Sequence, residues 1–401
     1  MVDRMTGRRA SPIVFGCLLI AACGDDSSRP DDDDVGSDVP QYQVLSLNTV
    51  PERYTAEIAV RDGYAYTTTW GTRFGNDGNV VKIWDLSGAP PVLVDSLVIP
   101  ATGTTGDVQI SEDGQLLAVA GEFSGSISFF DRSNPARPEL LVRYTSPEIA
   151  NGVHTVKLGV VNGRHYAFLS IDPLGTTRAR LVILDITDPA TPVRIWGEEM
   201  GNPYVHDVFV RDGILFVALW NDGLSIFDIG GGGRGGSPSN PVLLGNVRTV
   251  GGAVHNVYWY HDPVTGNKDY AFVGEEQPLG LGNSAGDIHV VDVSDMTRPK
   301  EVAYFTVMSA GTHNFDVDEE NGILYAAYYE AGIRGLNIRG DLGTCTAEQR
   351  VGNRCNLARM GREIGRGLNG QPVYIWGVRV DGDVLYASDM INGLWKLDVT
   401  R

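Results

Sequence analysis

An all-β fold, a single seven-bladed β-propeller of four-stranded blades, is predicted by three patterns in this 401-residue chain. A three-strand unit recurs seven times. Asp-Gly and Asn-Gly turn signals separate runs with period-2 alternation. The 50 Gly and 20 Pro favour many short elements over long helices. A hydrophobic share of 42% supports a sizeable core and excludes a disordered or coiled-coil body. The formal net charge of −18 repels phosphate backbones, so no nucleic-acid partner is expected.

The elements follow in chain order. Arg4, Arg8 and Arg9 precede an apolar run from Ile13 to Ala22. Ten residues are too few for a membrane-spanning helix, so residues 1–22 read as a signal peptide. Ile20-Ala21-Ala22-Cys23 resembles a bacterial lipobox, with Cys23 as the lipidated residue. Residues 24–40 carry seven Asp and one Arg, a composition that stays solvated. Residues 23–40 are thus a lipidated Cys and an acidic tether, and residues 41–401 are the propeller. Gly24 at the position after Cys23, in place of Asp, points to the outer membrane.

Each repeat opens on an x-x-Val-x-Val run: AEIAV (56–60), GDVQI (106–110), HTVKL (154–158), HDVFV (206–210), HNVYW (255–259), HNFDV (313–317) and WGVRV (376–380). A second run follows, such as LFVALWN (215–221) or LYAAYYE (324–330). The third ends in Asp or Asn, as in VKIWDLS (81–87) and LVILDITDPATP (181–192). Starts at 56, 106, 154, 206, 255, 313 and 376 give spacings of 48 to 63 residues. The recurrent pattern resembles the LVIVD-repeat family of bacterial surface and secreted propellers, over residues 42–401. Trp84-Asp85 is the one WD dipeptide of this kind and no Gly-His precedes it, so the WD40 family does not fit.

The chain ends after the third strand of the seventh copy, and YQVLSLNTV (42–50) precedes the first. That run is expected to supply the outer strand of blade seven and close the ring, because an open ring leaves unpaired edges. The run GGGGRGG (230–236) reads as a flexible loop in blade four. Residues 340–371 read as an insertion in blade six, with Cys345 and Cys355 forming a disulfide in an exported protein. Its Arg350, Arg354, Arg359, Arg362 and Arg366 read as a solvated basic loop. The Asp or Asn closing each third strand, among them Asp85, Asp131, Asp185, Asp228, Asn337 and Asp398, is expected to cap a turn.

His154, His206, His255 and His313 share one repeat position, and the innermost strand carries that position to the channel mouth. Second-strand ends bring Glu122, Asp172, Glu275, Glu276, Glu330 and Asp389 to the same face, with Trp70, Trp220 and Tyr329. Two readings stand. The imidazoles are structural members of the inner strands, or they hold a transition metal (Zn, Cu or Fe) with Glu275. Trp220, Tyr329 and Glu330 are the candidate ligand-binding residues. No serine-hydrolase elbow, zincin motif or phosphate loop occurs, and no catalytic residue is assigned. The expected function is a monomeric, lipid-anchored binding module for a protein or glycan at the envelope; a metal-dependent envelope enzyme is the alternative.

Overall fold

Short apolar runs broken by tight turns form seven antiparallel sheets around a central channel. The computed structural model describes residues 39–100, 102–276, 286–308 and 310–400. The signal segment, Cys23 and the tether up to residue 38 lie outside the described residues. The innermost strands are Tyr54–Arg61, Thr105–Ile110, Val153–Val161, Asp207–Arg211, Val254–Trp259, Phe315–Asp318 and Ile375–Asp381. No helix among the described residues is long and apolar enough to cross a membrane.

The core lies between blades. Seven buried clusters each join two neighbouring blades, one at every junction of the ring. Side-chain alternation explains this: Ile58 faces blade seven and Ala59 faces blade two, although both belong to one strand. Middle strands such as Leu116–Gly121 and Ile323–Ala327 are therefore buried along their whole length. Outer strands such as Val92–Val98 are largely exposed.

Every third strand closes on the expected turn. The terminal Asp or Asn accepts the N–H two residues on, at Ser87, Ser133, Thr187, Gly230, Ser294, Arg339 and Thr400, over 2.7–3.0 Å. Just before it, the outer-strand register shifts by one residue in all seven blades. The shared bulge bends the outer strand away from the axis.

The ring closes as the sequence predicts. Gln43–Thr49 pairs antiparallel with Gly393–Asp398 and completes blade seven in the order outer, third, second, inner. Val50 follows into the buried cluster between blades seven and one.

Two readings need correction. The glycine run after blade four is a close-packed cradle for Asp228, not a flexible loop. Asp228 Oδ1 accepts the N–H groups of Gly230 and Gly232, both at 2.8 Å. Its Oδ2 accepts those of Arg234 (2.7 Å) and Gly236 (3.1 Å). A Cβ at Gly231 would lie 1.8 Å from the Asp212 carbonyl oxygen, and one at Gly236 2.0 Å from that of Asp228, so the cradle requires glycine there.

The second concerns residues 340–371. They contain the outer strand of blade six, Glu363–Gly367, which pairs with Ile333–Asn337. The stretch before it reaches back to blade five, where Arg354–Asn356 runs parallel to Lys300–Phe305 and widens that sheet to six strands. That strand covers the edge of blade five, and the disulfide Cys345–Cys355 closes a loop within the stretch. Its arginines are engaged. Arg354 pairs with Glu301 at 2.5 Å, Arg366 with Glu363 at 2.6 Å, and Arg362 donates to the Arg339 carbonyl at 2.7 Å.

Removing residues 41–50 strips one blade of its outer strand and exposes the edge of Gly393–Asp398. The expected result is a loss of about 3–5 kcal/mol out of the ordinary 5–15, together with aggregation. Urea unfolding followed with light scattering measures both, and an unchanged midpoint refutes closure by this strand.

The Asp228 cradle predicts a pH dependence. Burial raises the carboxyl, but the four N–H donors outweigh it and hold the pKa at about 2. The folded value lies below the unfolded one, so the stabilisation is present above pH 4 and lost as pH falls through about 2. Asp228 is 1% exposed but lies just beneath the surface, so about 1–2 kcal/mol is the expected size. Asp228→Asn should cost that much at pH 6, and the gap to wild type should close in acid unfolding curves towards pH 2.

Candidate functional site at the histidine mouth

The first position of each inner-strand run forms the channel's upper layer. Adjacent ring centroids of His154, His206, His255 and His313 are 4.3, 4.0 and 4.2 Å apart. Trp376 continues the arc 4.3 Å from His313, and Trp70 lies 6.3 Å beyond it. Ala56 and Gly106 complete the ring of positions. A Cβ at Gly106 would come 2.6 Å from the His154 carbonyl oxygen, so the inner strands approach too closely there for a side chain.

The four imidazoles differ in charge. His154 Nδ1 lies 3.2 Å from Asp172 and 3.4 Å from Glu122. Burial opposes protonation, but the two carboxylates outweigh it and raise His154 well above the ordinary imidazole value. Its Nε2 is 3.0 Å from His206 Nε2, so the cationic ring donates to a neutral neighbour. Burial first, and then the charge of His154 and the other imidazoles, hold His206 and His255 well below 6.5. Burial takes His313 to about 3. Its Nδ1–H donates to the Trp376 carbonyl at 2.6 Å, which fixes the tautomer and ties blade six to blade seven.

Aromatic side chains surround this layer. Trp220 stacks on His206 (5.3 Å, 22°), and Tyr204 packs edge-on against Trp220 at 5.3 Å. Tyr329 stacks on Tyr374 at 4.4 Å and donates its hydroxyl to Glu276 at 2.6 Å. Trp220 and Tyr329 share one repeat position, and both hold a left-handed backbone (φ 51° and 39°) that bulky residues rarely adopt. Their carbonyls accept the N–H of Val254 (3.3 Å) and Ile375 (3.0 Å) from the next blade, which holds the strained turn in place.

One residue further along, Glu57, Asp107, Thr155, Asp207, Asn256 and Asn314 form a second layer that stitches blades together. Asp107 accepts the Val156 N–H at 3.0 Å, and Thr155 donates to the His206 carbonyl at 2.7 Å. Asn256 donates to Asn314 at 3.3 Å, and Asn314 donates to Glu57 at 2.5 Å. Gly377 of blade seven leaves room for that last contact; its Cβ would sit 3.4 Å from Glu57 Oε2. Burial pushes Glu57 and Asp107 up and takes Asp207 to about 7, while it pulls Lys157 down. These layers enclose a cavity of about 190 Å³. A wider basin of about 760 Å³, lined by Arg211, Tyr258 and Glu319, marks the inner strands' opposite ends.

The four His, Trp220 and Tyr329 thus come together as the repeat alignment predicts. Glu275 does not join them. It is fully buried between strands, 3.0 Å from His289 Nε2 and 3.1 Å from the Thr249 hydroxyl. Glu276, just past the end of that strand, reaches the mouth instead, with its Oε2 3.6 Å from His206 Nε2. Glu330 is exposed beyond the arc. Asp389 caps a turn, bonding the Trp395 indole at 2.9 Å and Asn392 at 2.6 Å. The sequence reading missed Tyr204, Tyr374 and the second layer; the column beside the His was the signal for the latter.

Architecture and mouth together define a ring-closed, repeat-built propeller with an imidazole-lined channel entrance. The LVIVD repeat matches residues 203–249, which run through blade four from Pro203 past its outer strand and include His206, Trp220 and the Asp228 cradle. That match and the seven blades fit the LVIVD-repeat family. No curated protein matches the chain.

The opposed effects on His154 predict a reversal. In a Glu122→Gln/Asp172→Asn variant burial acts without the carboxylates, and His154 should titrate below 6.5 in place of well above it. Histidine-resolved NMR titration measures this, and an unmoved His154 refutes the assignment of its charge.

Proposed function

We propose that the chain is an exported, lipid-anchored binding module that takes a protein or glycan ligand on the histidine mouth. The observation that carries this reading is the rim of half-buried aromatics, Trp70, Tyr204, Trp220, Tyr374 and Trp376, around recessed imidazoles. Flat aromatic faces beside carboxylates and hydroxyls suit sugar rings and protein side chains alike, and their rigidity keeps the entropic cost of binding low. The propeller and its LVIVD repeat support a binding module in general. The lipobox-like Ile20-Ala21-Ala22-Cys23 and the acidic stretch behind it support the anchor and an outer-membrane location.

Site-specific photo-cross-linking in intact cells tests the surface. A photoreactive residue at Trp70 or Trp220 should capture ligand, and one at Leu243, exposed on the outer strand of blade four, should not. Equal capture at all three positions overturns the assignment of the mouth. Cys23→Ser should leave the precursor unprocessed, and wild-type fractionation of that variant refutes the anchor.

A further inference from the structure

The histidine mouth holds buried imidazole nitrogens that the protein itself leaves unused. His255 is 2% exposed, and neither of its buried ring nitrogens makes a hydrogen bond of good geometry, Asn256 being the polar side chain beside it. His206 is 6% exposed and its Nδ1 is likewise unpartnered. Buried polar atoms without partners forfeit their hydration, so a fold that keeps two such rings side by side carries a cost that a ligand can remove. One donor atom each from His206, His255 and Glu276 lie mutually within 4.8 Å. The remaining oxygen of Glu276 accepts the Tyr329 hydroxyl at 2.6 Å, which fixes how the carboxylate is presented.

We infer that His206, His255 and Glu276 form a binding site for a divalent transition-metal ion, with Tyr329 orienting the carboxylate. Two imidazoles and one carboxylate match the ligand set of zinc sites that keep an open position, and iron(II) accepts the same set. Calcium and magnesium demand oxygen-rich shells and do not fit. His206 lies just before the inner strand of blade four, and His255 and Glu276 belong to blade five, so the packing of these two blades sets the spacing of the donors. His206 and His255 line the channel cavity, from which water or a donor group of an entering molecule would complete the shell.

Neighbouring groups are excluded from the shell by their own contacts. Glu122, His154 and Asp172 also lie within 4.8 Å of one another, but there a protonated imidazole already offsets two carboxylates; its Nε2 hydrogen bond to His206 Nε2 is the contact that an ion bound through that nitrogen displaces. His313 has its Nδ1 committed to the Trp376 carbonyl. The site shares the mouth with the binding reading above but does not rest on it: cross-linking reports the rim, and metal titration reports the recessed nitrogens.

The test uses the full chain without an affinity tag, stripped of metal and titrated with Co²⁺ and Zn²⁺ alone. One equivalent of Co²⁺ should produce the visible absorption of a four- or five-coordinate ion, and Zn²⁺ should displace it. Glu276→Gln and His255→Ala should each weaken binding by more than about 100-fold, beyond what losing an outer partner costs. Tyr329→Phe should weaken it by about 10- to 100-fold. His165→Gln, remote from the mouth, should bind as wild type does. Circular dichroism checks folding, and Glu276→Gln, isosteric and half-buried, carries the test if His255→Ala does not fold. Absent Co²⁺ absorption in wild type, or unchanged affinity in Glu276→Gln, overturns the site.

Discussion

Each blade of this protein is apolar on both faces, and that fact governs everything else. A middle strand such as Ile323–Ala327 is buried throughout because a neighbouring sheet covers each side of it. No blade can satisfy this alone, and a row of blades leaves two uncovered faces at its ends. Only a closed ring removes both. Closure by Gln43–Thr49 is therefore a condition of the core and not an accessory to it. The same condition fixes the channel. Seven inner strands meeting around an axis converge their first residues, so whatever those residues are becomes a site.

Charge is graded along that channel. At the mouth one imidazole, His154, is charged between two carboxylates, and three are held neutral by burial. One layer down, burial likewise raises Asp107, takes Glu57 to about 8 and Asp207 to about 7, in spite of Lys157 and Arg379 in the same channel. Burial thus drives acids and bases alike towards their neutral forms, and the Asn256–Asn314–Glu57 hydrogen bonds link the second layer around part of the ring. The channel is lined by polar side chains, which favours ligands that bring their own charge or donors.

Much of this was legible because repetition amplifies weak signals. One Asp after one strand says little, whereas the same Asp after seven strands identifies a turn. The four His were found in this way. What escaped lay where the repeat breaks. Glu275 and Glu276 are consecutive, and the sequence does not show where the strand ends and the alternation stops; the structure ends it at Glu275, leaving Glu276 free to face the mouth. The glycines after Asp228 look like a mobile linker by composition, but four N–H groups of that run, three of them from glycines, converge on one carboxylate. Residues 340–371 looked like an appendage of blade six because chain order hides that Arg354–Asn356 folds back on blade five.

The pairing of Gln43–Thr49 with Gly393–Asp398 also sets a direction in time. The strand made first waits for the strand made last, across nearly the whole chain, so this contact has the longest loop-closure cost in the molecule. Six blades can stack as they emerge, each templated by its predecessor, but the seventh cannot form until Gly393–Asp398 has been made. Until then the nascent chain keeps one open sheet edge and one uncovered apolar face. Ring closure is therefore the late event of folding, and the core between blades seven and one is the last to be sealed.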